Sequence, residues 1–358
     1  MAYIFLCMYC TFYMYGVQRY KSCGAILILP FMAYFLFSAL QYNVGSDYFS
    51  YINIYNNQWL LDKYFKSGEF FFYYANILFK YFNLPAQFIF VAFSFVQSLF
   101  VFIYLSKIKS EGFVLWLFFL IFFTVTNIYN NQMNGIRQYA ALTLLPILTV
   151  FIFNKQYVRF FLMTLLAMSF HSSAVIFLCL IPLRFLYERL GRYCFIIFFI
   201  SSFLYLWLPE YTAAILDFLG LRFSSYIDSS YFESGGYVYV ITKLYYLPCF
   251  LLFFCIYRRH NEFIANSWSS EYFFFVVFIF ACTYWSFLMT LDAFILSRVA
   301  SYFWFFIIFP IYYNYIFLVR RYNPAISLIY IGYVIVPYFV KVTFLAKNEF
   351  IYRSYIFN

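Results

Sequence analysis

Long apolar runs separated by short polar breaks fill the chain from residue 2 to residue 345. They fall at 2–17, 24–41, 86–105, 113–129, 133–153, 158–170, 172–185, 193–208, 237–257, 271–290, 294–318 and 325–345. Within them apolar residues follow one another instead of alternating with a period of two. A transmembrane β-barrel is thereby excluded, and helices are left as the way to satisfy a backbone in lipid. About twelve transmembrane helices are predicted on this pattern. One further run, 70–82, is interrupted by Asn76 and Lys80. It is short against the roughly 20 residues a crossing needs, so it is predicted as an amphipathic helix lying at the outer interface. Two longer polar loops remain, 42–68 and 209–236. The runs at 158–170 and 172–185 are joined by a tight polar turn around His171. The first run lacks a basic leader and a small-residue cleavage site, and reads as a retained span.

The breaks alternate in charge. Arg19/Lys21, Lys107/Lys109, Lys155/Arg159, Arg184/Arg189/Arg192, Arg258/Arg259 and Arg320/Arg321 occupy every second one. Because cytoplasmic loops retain Lys and Arg, these breaks are assigned to the inside. Both termini and the two long loops then face outward, to the periplasmic side of a bacterial inner membrane. Composition agrees: a chain 66% hydrophobic and 10% charged, with a mean hydropathy of +0.81, is no water-soluble globule. The fold class is all-α, a single polytopic membrane domain over 1–358. The net charge of +10 follows from the topology and from anionic lipid at the inner surface, so no nucleic-acid partner is needed. The eight cysteines lie in the runs or near inner breaks, and no disulfide is expected. Cys7 and Cys10 form a C-x-x-C inside an apolar helix without His or acidic company, and read as packing. The aromatic excess, 57 Phe and 41 Tyr, is spread along the whole chain as a biased genome would leave it, without the clustering of a binding site.

With that sidedness, Asp47, Arg137, His171, Arg222, Asp292 and Arg298 converge on the outer boundary. Ionisable groups at or below the interface are costly and tend to face a water-filled cavity. Asp47, in Asn43-Val44-Gly45-Ser46-Asp47-Tyr48, can accept a proton from a sugar hydroxyl, accept a ligand hydrogen bond, or cap the helix that begins near Tyr48. Asn134-Gly135-Ile136-Arg137-Gln138 opens a span from the outer side. A helix N-terminus offers free amides to an anion, and Arg137 adds a bidentate donor; a snorkelling interfacial arginine is the alternative. His171, in a polar turn, can donate to a ligand, orient Asp47, or satisfy a loop carbonyl. Arg298 falls almost two turns into its span, deeper than snorkelling requires, and is read as an anion ligand. Asp292 flanks the same span; an ion pair with Arg298 is open, although six residues apart is not a same-face spacing. Arg222 is either a phosphate contact or a solvated loop charge. His171 and His260 are the chain's two histidines, and His260 falls inside, so no metal site is expected.

Gly45, Asp47, Tyr48 and Tyr51, then Asn134-Gly135-Ile136-Arg137-Gln138, then Phe170-His171-Ser172-Ser173, then Arg298 with Tyr302-Phe303, resemble in that order the EpsG-like branch of Wzy-type bacterial polysaccharide polymerases. The resemblance covers residues 40–305. It implies a GT-C-like membrane enzyme that joins undecaprenyl-diphosphate-linked oligosaccharide repeat units in O-antigen, capsule or exopolysaccharide synthesis. It further implies that Asp47 and His171 serve the acceptor hydroxyl, that Arg137, Arg298 and Arg222 hold the diphosphate, and that Asn134, Gln138, Tyr48 and Asp292 support them. Transfer is expected to need no metal and no cofactor; membrane lipid and a chain-length regulator are candidate partners. Two alternatives stay open: a flippase of lipid-linked oligosaccharide, which should show repeated halves, and an O-antigen ligase, which shares the donor. A membrane O-acyltransferase would want its histidine in a more elaborate setting.

Overall fold

A computed structural model of the protein describes residues 1–18, 24–208, 237–257, 267–291 and 296–357. It is an all-helical, polytopic membrane protein. Among the described residues, seven helical runs are long and apolar enough to cross a membrane and four shorter apolar helices accompany them. The twelve expected runs map onto these one for one, except that Ser172–Trp207 holds two. The chain divides into two compact units, residues 1–178 with 332–358, and residues 179–331.

The first unit is built from ten helices: α1 (Ala2–Val17), α2 (Ile28–Ala39), α3 (Tyr48–Asn56), α4 (Gln58–Lys66), α5 (Phe70–Tyr81), α6 (Gln87–Ser110), α7 (Leu115–Val125), α8 (Ile128–Asn134), α9 (Ile136–Phe153) and α10 (Tyr157–Phe170). Helix α6 packs on α2, α5 and α9, and buries Phe90 and Phe93 together with Gln87 and Gln97. These amides bond to carbonyls near helix ends: Gln97 Nε2 donates to the Gln132 carbonyl at 3.4 Å and the Ile136 carbonyl at 2.8 Å, which joins α8 to α9. The expected 42–68 loop is mostly helical, because the Asn57 side chain accepts from the N–H groups of Trp59 and Leu60 and so caps α4. Helix α5 stands where the amphipathic helix was expected; it buries Phe72 and Asn76 and exposes Phe70, Tyr74, Leu78 and Tyr81. The run expected at 113–129 stops at Val125, since Asn127 takes a left-handed backbone (φ +54°), and the next span begins at Ile136 rather than at residue 133.

Within this unit the two ends differ in chemistry. At one end the Gln18 side chain bonds the Phe113 carbonyl and the Leu115 N–H, beside the Lys107–Glu111 pair at the close of α6. Lys155 and Arg159 lie where α9 gives way to α10. At the other end sit the start of α1, the close of α2, the α8–α9 junction and the chain's last residues. Tyr3 donates to the Glu349 carbonyl at 2.8 Å, Tyr42 N–H to the Arg353 carbonyl at 2.9 Å and Tyr355 N–H to the Leu40 carbonyl at 2.7 Å. The Lys107–Glu111 break and the Asn134–Arg137 motif thus lie at opposite ends of this unit. Arg19 and Lys21 fall outside the described residues.

In the second unit, α11 (Leu180–Leu190) and α12 (Cys194–Trp207) lie along α15 (Ser267–Thr283). The Arg184 guanidinium stands 5.6 Å from the Phe275 ring and the Tyr187 hydroxyl reaches the Glu271 carbonyl, whereas Cys194 reaches Val277 and Ser201 reaches Ala281. Contacts that descend and then ascend along α15 mean that the run 172–207 folds back near Gly191, which is why it holds two expected spans. Helices α13 (Tyr237–Leu244) and α14 (Leu247–Tyr257) follow, then α16 (Ser297–Phe303) and α17 (Ile308–Arg321). Asn314 of α17 donates to the Cys249 carbonyl of α14 at 2.7 Å, and Phe198 of α12 and Phe250 of α14 pack on the rings of Phe280 and Tyr284. Helix α18 (Pro324–Thr343) begins in this unit and finishes in the first.

Candidate functional site

The loop that follows α2 is shaped by Gly45, whose φ of +79° suits a residue without a side chain. A Cβ at this position would lie 2.7 Å from the Asn134 Cβ, so loop and asparagine touch. Asn134 Oδ1 accepts from the Asp47 N–H at 3.0 Å and from Ser46 Oγ at 3.4 Å. Asp47 occupies the cap position of α3, yet its carboxylate does not cap the helix; it accepts from Ser46 Oγ at 3.1 Å and is half-buried. The capping alternative is therefore not what the carboxylate does. Tyr48 is buried and donates to Gln87 Oε1 at 2.9 Å, while Gln87 Nε2 closes on the Ala39 and Gln41 carbonyls. Burial, reinforced by Tyr42 and Tyr355 nearby, pushes the Tyr48 hydroxyl up to about 12.

Arg137, the second residue of α9, points into a closed setting. Its guanidinium is paired with Glu69, the two side chains being 15% and 4% exposed. The Tyr64 ring lies 4.3 Å away, Phe72 5.0 Å and Tyr51 5.7 Å. Tyr51, one turn after Asp47 in α3, thus stands between the two motifs. Arg137 Nε is buried without a partner. This is no snorkelling arginine. Gln138, next along the helix, is half-buried.

Glu69 is the residue at this end that sequence reasoning passed over. Gly68, at φ +79°, turns the chain between α4 and α5 and sends Glu69 inward. At a helix start an acid ordinarily caps; here the side chain makes no cap bond and both oxygens reach elsewhere. Oε2 faces Arg137 and Oε1 accepts from the Ser172 N–H at 3.4 Å. The signal available in the sequence was Ser67-Gly68-Glu69 at the head of an amphipathic helix, with nothing local to name a partner 68 positions on.

His171 closes α10 in an extended conformation, φ −152° and ψ +123°. Its Nδ1 accepts from the Ser173 N–H at 3.2 Å and lies 2.7 Å from Ser173 Oγ. The neutral ring then carries its proton on Nε2, a tautomer assigned from these bonds. The turn is locally built, and Glu69 ties it to Arg137.

Arg298 belongs to the second unit. It is the second residue of α16 and exposed, so it stands in the first turn of its helix and not almost two turns inside. Its carbonyl accepts from Ser301 Oγ at 2.7 Å. Arg222 and Asp292 lie outside the described residues, as does the 209–236 loop.

The fold and this polar end together define a multi-span membrane protein with a carboxylate, an amide, an arginine and a histidine turn gathered at one end of a helical unit. Residues 24–355 match the EpsG family, and the chain belongs to that family. The family points to a membrane protein of the polysaccharide polymerase type, associated with glycosyltransferase-like chemistry and polysaccharide biosynthesis. No curated protein and no solved structure matches the chain.

Proposed function

We propose that this protein is a polymerase that joins undecaprenyl-diphosphate-linked oligosaccharide repeat units at the periplasmic face of the inner membrane, in O-antigen, capsule or exopolysaccharide synthesis. The observation that carries the reading is the junction of Asp47 to Asn134, three residues from Arg137, at the end of the first unit opposite its lysine-bearing breaks, in a chain of the EpsG family. In this scheme a hydroxyl on one lipid-linked unit attacks the anomeric carbon of the growing chain. The bond from that carbon to the diphosphate oxygen breaks, and the electron pair leaves with the polyprenyl diphosphate. Asp47 takes the hydroxyl proton, assisted by His171. The charge that develops on the leaving group is met in the first unit by Arg137; Arg298 and Arg222 are kept as candidate anion ligands from the sequence alone. Asn134 fixes the Asp47 backbone, and Tyr48 and Gln138 support the site. Arginine neutralisation makes the diphosphate a competent leaving group without a metal in this scheme.

A chromosomal deletion tests the reading through the surface polysaccharide and the lipid-linked intermediates. Loss of a polymerase leaves single repeat units on the surface. Absence of any unit there, with polymer still forming on the lipid, identifies a ligase. Repeat units accumulating on the cytoplasmic side of the membrane identify a flippase. Either of the last two outcomes removes the proposal.

A further inference from the structure

We infer that Glu69 is a positioning residue for chain extension, holding the diphosphate arginine and the His171 turn in one geometry; the inference rests on the polymerase reading. A buried ion pair is poor evidence of stabilisation, because desolvating two charges offsets most of their attraction, and apolar replacements of like volume are often neutral or better. The Glu69–Arg137 pair is nevertheless almost wholly buried, and rings of Tyr51, Tyr64 and Phe72 line the arginine.

What the pair achieves is alignment. The carboxylate has two oxygens and spends each on a different motif: Oε2 on Arg137 at the head of α9, Oε1 on the Ser172 N–H beside His171. Gly68 supplies the backbone turn that makes this reach possible, and Glu69 forgoes capping its own helix to do so. The Tyr51 ring, 5.7 Å from the Arg137 guanidinium, stands one helical turn after Asp47 in α3. One carboxylate therefore ties three separated stretches of sequence, 69, 137 and 172, into a single frame. Arg137 Nε stays unpartnered inside that frame, a donor left over after Glu69 is served.

The test is steady-state elongation by purified protein in proteoliposomes, with lipid-linked repeat units extracted from the deletion strain as substrate. Rates are normalised to folded protein recovered by size exclusion. Glu69→Gln keeps the shape but removes the charge, and kcat/KM is expected to fall about 100-fold, as a misplacement of about 1 Å can do. In an Arg137→Gln background the same change is expected to cost less than about 3-fold, because a residue acting through Arg137 has nothing further to lose. Glu69→Asp retains the buried charge, and with it the fold, but is one methylene short; kcat is expected about 10-fold down with KM little changed.

Wild-type kcat in Glu69→Asp, or undiminished kcat/KM per folded molecule in Glu69→Gln, overturns the inference and leaves the polymerase reading intact. Losses that multiply fully in the double variant overturn it as well, since Glu69 then acts apart from Arg137. A wild-type protein that does not elongate the lipid-linked units overturns the polymerase reading, and this inference with it.

Discussion

The Asp47 backbone N–H donates to Asn134 Oδ1 at 3.0 Å across 87 positions of sequence. This bond fastens the loop leaving α2 to the turn entering α9. The Asp47 carboxylate makes no bond to the start of its own helix and accepts from Ser46 Oγ. Asn134 can approach so closely because Gly45 presents no Cβ to it.

Gly45→Ala is expected to break that junction. An alanine at φ +79° is strained, and its methyl would press on the Asn134 side chain. Such strain costs about 1–3 kcal/mol. Thermal unfolding in detergent should show a lowered midpoint, and cells carrying the variant should display shortened polymer.

Asp47→Asn separates chemistry from architecture. The backbone bond to Asn134 survives, so the fold should hold, but the proton acceptor is gone. Elongation is expected to fall by about 100-fold to 10,000-fold, the range for removal of a general base. Near-normal elongation would take Asp47 out of that role.

Arg137→Ala and Arg298→Ala should differ in stability. Removing Arg137 leaves the Glu69 charge buried and unpaired, a loss of about 3–5 kcal/mol, and membrane-inserted yield should drop. Arg298 is exposed in the first turn of α16, so its removal should lower the unfolding free energy by less than the loss at Arg137 while polymer length collapses. Quantitative unfolding beside polymer electrophoresis checks both halves.

Tyr48 gives a pH prediction. Its hydroxyl is raised to about 12 from an ordinary value of about 10, so the fold favours the neutral phenol. The stability from that preference is complete below about pH 10 and is lost as pH climbs toward 12. Tyr48→Phe removes this alkaline component. It also strips Gln87 Oε1 of its donor, costing about 1–3 kcal/mol at neutral pH. Unfolding followed across the alkaline range in both proteins checks the sign.

Much of the fold could be read from apolar runs, because burial in lipid selects long stretches whatever their packing. Where packing decides, the pattern fell short. Helices α3 and α4 were hidden in a polar loop, since Asn57 capping and the Gln58–Asp62 pair at 2.7 Å look like ordinary loop polarity. The break at Asn127 needs a left-handed residue that hydropathy does not register. Arg298 was assigned too deep a place: even a helix start at residue 294 leaves it about one turn in, and the helix begins at Ser297. Asp47, Asn134, Arg137 and His171 were legible because polar residues at the mouths of apolar runs are conspicuous. Glu69 was not, because an acid at a helix start has a local explanation that its tertiary bonds override.

The sidedness of the first unit bears the whole account, and membrane-impermeant maleimide labelling of intact cells tests it most directly. Ser50, in α3 two residues past Tyr48, and Ser110, at the close of α6 near Lys107 and Lys109, are both exposed and stand toward opposite ends of that unit. Ser50→Cys should label from outside above the wild-type background, and Ser110→Cys should label only after the membrane is permeabilised. Labelling of Ser110→Cys in intact cells, with Ser50→Cys reached only after permeabilisation, would contradict the account.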